Sequence, residues 1–412
     1  MENSERLLTG CVGVLAIAWL LSRIFVRQPP LPPGPPGRWL WGNMAEINVP
    51  HRPVKAAVEW RDLYEKRAAE TSDRPRNVFV RELMGWNTST VLHRHNDRHQ
   101  QLRKTMASVL QQRPLVEAVR AGQIYMEDGL ATHRWVFVRR LEFANIPFDT
   151  VMDRIRRNEI VRSSFTSRLL EQHGGASVSK EDVDLIKWSA ASLFGGMVAL
   201  TVSILAMLIF CLVLHPEVTK KAQEEIDRVI GCDRLPTVYD RGSLPYVEAV
   251  LQEAMRYYPV VPLCIPHSTE KDIEFRGYRI PQGSSIEPNI WAILHDPDTY
   301  SNPHIFRPER YLQSPPAPDP RKYIFGFGRR VCPGIHIAYD STFINCAGLI
   351  SVFDFEASPE LLASVEMVGG RESPDIWKLF NSSKIVRPKP FKCSIRPRND
   401  AARLLLETSV AY

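Results

Sequence analysis

The 412-residue sequence contains no Cys-x-x-Cys pair; its seven cysteines, at positions 11, 211, 232, 264, 332, 346 and 393, are scattered and odd in number. That absence excludes a disulfide framework and a cysteine-built zinc site, and a reducing compartment is the simplest reading. Blocks of like charge are missing too. The net charge is +6 with lysines and arginines dispersed, so the surface is an ordinary solvated one, with a modest bias toward acidic partners or anionic membranes and no nucleic-acid footprint. Disorder is excluded by composition: 44% of residues are hydrophobic and 24% charged, enough to bury a sizeable core.

Two apolar runs stand out. The first, "LLTGCVGVLAIAWLLS" at 7–22, reaches about bilayer length through Val26 if Arg23 snorkels at its edge. Glu2 and Glu5 precede it, Arg23 and Arg27 follow it, and no small-residue cleavage site comes before the prolines. These features favour a single-pass signal anchor over residues 1–27, its C-terminal side in the cytosol, against a cleaved signal peptide. Prolines at 29, 30, 32, 33, 35 and 36 then make 28–43 a stiff hinge; a PxxP ligand is the rival. Residues 44–412 form one catalytic domain. The second run, Trp188–Leu214, carries no charge. By length it qualifies as a membrane span. Ser189, Ser192, Gly195, Gly196, Thr201 and Ser203 interrupt it, however, and it runs through Pro216 into a segment where Val218, Ala222, Ile226 and Val229 keep helical spacing before Gly231. A long helix through the core of the domain explains both pieces.

The chemistry sits in "FGFGRRVCPG", residues 325–334. A dinucleotide fingerprint needs glycine where Val331 stands, and a phosphate loop needs a GK[ST] that is absent. A nucleophilic cysteine wants a histidine partner, which sequence alone does not exclude; an idle cysteine on a structural glycine turn is the blander alternative. A lone thiolate holds a metal when that metal arrives already ligated, and haem is the common case. Glycines at 326, 328 and 334 let backbone N–H groups approach a buried sulfur anion, and Arg330 is placed to meet a carboxylate such as a haem propionate.

Phe325, Gly328, Arg330, Cys332 and Gly334 together resemble, position by position, the haem-binding signature of the cytochrome P-450 superfamily, in its microsomal or fungal-like type. The resemblance extends over about residues 185–397. Within it, "SLPYVEAVLQEAMRYYP" reads as a helix capped by Ser243, with Pro245 in its first turn and Pro259 as its stop. Glu253 and Arg256 fall three apart on one face, and "FRPERY" supplies a second arginine, Arg310, to a triad to which the resemblance assigns a structural role. Upstream, "NDRHQQLRK" is similar to the segment whose tryptophan and arginine hold a propionate. Arg103 matches the arginine, whereas His99 replaces the tryptophan and is expected to keep a hydrogen-bond donor there. His267 would be a further propionate contact by resemblance, or else a satisfied core histidine.

The implied fold is mainly α with small β-sheets. It is expected to be incomplete, because the first sheet hairpin near 58–67 and several helices between Arg103 and Trp188 have little sequence to hold them. Helical patterning there is clearest in residues 134–143 and 148–172. The implied activity is that of a haem-thiolate monooxygenase: haem b with Cys332 as axial ligand, an NADPH-dependent flavin reductase as electron donor and a small apolar organic substrate, at the endoplasmic reticulum membrane with the catalytic domain cytosolic. Arg321, Lys322, Arg329 and Lys104 are candidates for steering that reductase. One departure bears on mechanism. The acid and alcohol that relay protons in the family fall on Ala199 and Leu200, and neither side chain moves a proton. Thr201 lies about 100° further round the helix and serves only if a local bulge shifts the register. A peroxide-using thiolate haem enzyme and a degenerate haem-binding relative are therefore the alternatives.

Overall fold

A computed structural model describes residues 70–74, 94–110, 140–161, 163–381 and 384–410. The anchor, the hinge and the segment expected to lack a sheet hairpin lie outside the described residues. Within them the chain is mainly α-helical with small antiparallel sheets.

Helices α1 (Asp97–Leu110), α2 (Arg140–Arg156) and α3 (Phe165–Gln172) precede α4 (Lys180–Leu214), a single helix of 35 residues. Ser179 opens α4 by accepting the Asp182 N–H at 3.1 Å. This helix is long and apolar enough to cross a membrane; in the fold it packs against α1, α2 and α3 and against three later elements, α6, α9 and β5. Those elements follow α5 (Pro216–Val229), and they are α6 (Pro245–Tyr257), α9 (Ile335–Val352) and strand β5 (Phe353–Ala357). One apolar core joins Met207, Leu208 and Phe210 of α4 to Ala222 and Ile226 of α5, Val247 and Leu251 of α6, and Phe343 and Ile350 of α9.

Between α6 and α9 lie the short strands β1 (His267–Ser268), β2 (Ile273–Phe275), β3 (Tyr278–Ile280) and β4 (Ser285–Ile286), and the short helices α7 (Ile290–Leu294) and α8 (Arg321–Ile324). β1 pairs with β4 and β2 with β3, both antiparallel. Arg276 and Gly277, at φ 51° and 80°, make the two-residue β2–β3 turn, whose handedness matches the strand twist. β5 pairs with β6 (Cys393–Pro397); α10 (Pro359–Met367) lies between them in sequence and α11 (Asp400–Val410) follows.

Three local expectations are corrected. The long helix does not continue through Pro216. It ends at Leu214 and α5 begins at Pro216, because proline has no N–H to donate and its ring clashes with the preceding turn. The segment 148–172 is not one helix. α2 absorbs Phe148 by running across Pro147, then stops before Asn158, whose φ is 56°, and α3 restarts under a Ser164 capping box. Ser243 does not cap α6, since Leu244 holds the cap position without a side-chain bond. Glu225 of α5 does that work from across the core: its carboxylate accepts the N–H groups of Tyr246 at 2.9 Å and Val247 at 3.0 Å. A buried carboxylate on a helix N-terminus also meets the positive end of the helix dipole. Glu225→Ala is expected to lower stability by about 1–3 kcal/mol, read as a lower urea midpoint, with Glu225→Gln falling between the two.

Candidate functional site

The loop between α8 and α9 is folded on its own backbone. Gly326 and Gly328 sit at φ 77° and 54°, where a side chain would be strained. They turn the chain so that the Cys332 N–H donates to the Phe325 carbonyl at 2.8 Å and the Val331 N–H to Gly328 at 3.2 Å. The Cys332 thiol is pushed up by burial, against which the Gly334 N–H and the Arg103 guanidinium favour the anion. Among the described residues no cluster of three or more His, Cys, Asp or Glu side chains offers a bare metal ion a full coordination shell. A thiol of this kind therefore suits a metal that brings its own equatorial ligands.

Cationic groups gather beside the loop. Arg103, from α1, donates to the Val331 carbonyl at 3.1 Å. Arg330 is buried, donates to the Ser72 carbonyl at 2.7 Å, and contacts His99 Nε2 at 2.5 Å. Burial, with Arg74 and Arg103 nearby, pushes the Arg330 guanidinium down to about 9. Arg74 itself donates to the carbonyls of Ile265 at 2.8 Å and Pro266 at 2.6 Å. Asp73, whose carboxylate acts on Arg330, is engaged by Arg94 at 2.8 Å and by the His95 N–H at 2.9 Å. A pair of carboxylates entering here would offset the crowded positive charge, so the donor set fits the propionates of a haem.

The two histidines bond to groups of the protein. A guanidinium only donates, so His99 Nε2 accepts from Arg330 and the ring is neutral with its proton on Nδ1. His99 thus orients the arginine through Nε2 and keeps an N–H donor at Nδ1, as expected of it in the tryptophan's place. His267 is buried, and its Nδ1–H donates to the Thr71 carbonyl at 2.9 Å, tying down the 70–74 segment. Burial and Arg74 hold its imidazole down at about 3.

Behind the loop, Glu253, Arg256 and Arg310 come together with essentially no solvent exposure. Arg256 grips both Glu253 oxygens at 2.9 Å, and Arg310 Nε reaches them at 3.1 Å. The Arg307 N–H and the Tyr311 hydroxyl add two more donors to the same carboxylate. The remaining guanidinium N–H groups go to main-chain carbonyls, among them Leu294, Pro303 and Ser301. Arg321, expected on the docking surface, is instead largely buried between Asp319 and Glu248, whereas Lys104, Lys322 and Arg329 are exposed.

In α4, Thr201 is half-buried, and the helix stays α-helical throughout, with Ser203 Oγ donating to the Ala199 carbonyl at 2.7 Å. The bulge that would shift Thr201 into the proton-relay register is absent. Two contributors escaped the sequence reading, Arg74 and the Ser72 carbonyl. Both lie some 190 or more residues from their partners, so no spacing could have marked them.

The model of the cytochrome P450 family matches residues 137–367. The chain belongs to that family. Among its relatives is the cytochrome P450 monooxygenase claR of Ampulloclitocybe clavipes, 31% identical over 505 aligned positions that take in 96% of this chain and 91% of the relative. Because 505 positions exceed the 412 residues available, claR carries segments with no counterpart here. Cytochrome P450 monooxygenase 208 of Postia placenta is 43% identical over 265 residues, 64% of this chain and 49% of that protein. A second Ampulloclitocybe clavipes monooxygenase, claT, is 44% identical over 250 residues, 60% of this chain and 49% of its own; the chain spans about half the length of these two. A zebra fish cytochrome P450 solved with abiraterone superposes with a TM-score of 0.60 at 26% identity, over 82% of this chain and 91% of that one. This P450 is accordingly of the haem-thiolate monooxygenase class.

Two outcomes are expected. Glu253→Gln leaves two buried guanidiniums short of their counter-charge and should cost about 3–5 kcal/mol, read in thermal or urea unfolding. His267 is neutral when folded and takes up a proton near pH 6.5 when unfolded. Stability is therefore full above pH 6.5 and is lost as pH falls toward 3, by about 2 kcal/mol at pH 5 from this residue. His267→Asn should flatten the pH 5–7 slope of the unfolding midpoint.

Proposed function

We propose that this P450 binds haem b through the Cys332 thiolate and inserts one oxygen atom of O2 into a small apolar organic substrate, of the kind found in secondary metabolism. Electrons come from an NADPH-dependent flavin reductase, and residues 1–27 anchor the catalytic domain on the cytosolic face of the endoplasmic reticulum membrane. The observation that carries the reading is the Cys332 loop, a lone cysteine whose main-chain N–H is held by the Phe325 carbonyl and which Arg103 and Arg330 flank. When bound, the haem supplies the oxygen chemistry, with a thiolate ligand that favours O–O cleavage.

The chain's own residues do the rest. Arg330, oriented by His99, and Arg103 bind the propionates. The Gly334 N–H and Arg103 favour the anion at Cys332 Sγ against the burial that raises its pKa. Lys104, Lys322 and Arg329 give the protein surface a positive field suited to an acidic reductase.

A second reading is favoured by one observation: α4 keeps a regular register through Ala199 and Leu200, so no acid and alcohol pair delivers protons. That arrangement suits a thiolate haem enzyme that takes peroxide directly. The deciding experiment is the absorption spectrum of the reduced, CO-bound protein beside Cys332→Ala, followed by turnover. A red-shifted thiolate band that Cys332→Ala abolishes is expected; a band at the ordinary position in the parent protein overturns the ligand assignment. Turnover with reductase and NADPH supports the monooxygenase, and turnover with added peroxide alone supports the second reading.

A further inference from the structure

The flank of the Cys332 loop away from the propionate cradle carries a belt of charged side chains that the haem chemistry does not use. Arg321 begins α8, just before the loop. Its Nε and Nη2 donate to Asp319 at 2.9 and 2.6 Å, and its Nη1 donates to Glu248 of α6. Its side chain is only 13% exposed, so these bonds are little screened by solvent, and the two carboxylates hold the guanidinium firmly in its charged form. From that position the guanidinium stacks 4.7 Å above the ring of Tyr339, on α9, just after the loop. The Tyr339 ring meets the Phe325 ring edge-on at 5.3 Å. Phe325 is the residue whose carbonyl receives the Cys332 N–H at 2.8 Å. Arg241 closes the belt, donating to the Tyr339 carbonyl at 2.5 Å and to Asp340 at 3.2 Å, with its Nε 3.6 Å from Glu248.

We propose that Arg321 is a positioning residue for the thiolate, acting through Tyr339 and Phe325 to fix the carbonyl that holds Cys332. This rests on the reading of Cys332 as the iron ligand. The constraint is geometric. The Cys332 N–H is held by the Phe325 carbonyl at 2.8 Å, and such a bond weakens steeply once donor and acceptor are misaligned. Arg321 ties the loop's entry to its exit and both to α6. Without it the Phe325 ring loses its backstop, the carbonyl drifts, and Cys332 leaves the position from which its sulfur would reach the iron.

The test uses the full-length, haem-loaded protein and reads two things: haem per chain and the ratio of red-shifted to ordinary CO band. Arg321→Gln and Tyr339→Leu should keep haem but raise the ordinary-band fraction several-fold. Tyr339→Phe, which keeps the ring for both neighbours, should match the parent. Tyr339→Leu removes no charge, so it carries the expectation even if Arg321→Gln does not fold. A parent protein with the red-shifted band, and variants that share its ratio, would sink the positioning role alone. A parent protein without that band would remove the ligand assignment and the positioning role together.

Discussion

Charge in a protein interior persists only where hydrogen bonds replace the water it has lost, and this structure depends on how it meets that constraint. Glu253 shows the solution most fully: two guanidiniums, a main-chain N–H and a tyrosine hydroxyl surround one carboxylate. Those donors come from α6 and from the stretch around residues 301–311, which would otherwise share no regular secondary structure. The guanidiniums in turn bind carbonyls at Leu294, Ser301, Pro303 and Ile305, in a stretch with only isolated turns of its own, so the ionic cluster serves as scaffold for the polypeptide between α7 and α8. Hydrophobic burial alone does not specify such a segment, because it has few apolar side chains in register.

The thiol site works with the opposite balance. Around Glu253 the charges are nearly neutralised, whereas around Cys332 the fold assembles an excess of arginine and leaves the sulfur short of donors. Each half is costly alone. Crowded cations repel one another, and a buried sulfur resists ionisation. A dianionic prosthetic group with a metal at its centre relieves both at once, so the polypeptide is most stable when loaded.

Much of this was legible in the sequence, for identifiable reasons. The loop 325–334 declared itself because glycine, proline and cysteine there answer to backbone geometry, which depends on neighbours only a few residues away. The Glu253 and Arg256 pair was legible from helical spacing. Element boundaries were less so: Pro147 lies inside α2 while Pro216 marks the break between α4 and α5, so the presence of proline alone does not say where a helix stops. The cap of α6 came from Glu225, twenty residues upstream, where local rules pointed to Ser243. Arg74 and Ser72 were invisible because their partners lie in another part of the chain, and Arg321 looked like surface charge until Glu248 and Asp319 were seen around it.

The Ser72 carbonyl and the Arg330 guanidinium are 258 residues apart in sequence, and Thr71 and His267 are 196 apart. Contacts of such separation form late, since the entropy of closing so long a loop must be met before they stabilise anything. During synthesis the N-terminal part of the cradle has no partner until most of the chain has left the ribosome. Assembly of the cradle is thus tied to completion of the polypeptide, and a chain truncated before residue 330 leaves the Ser72 carbonyl and the 70–74 segment without the guanidinium that holds them.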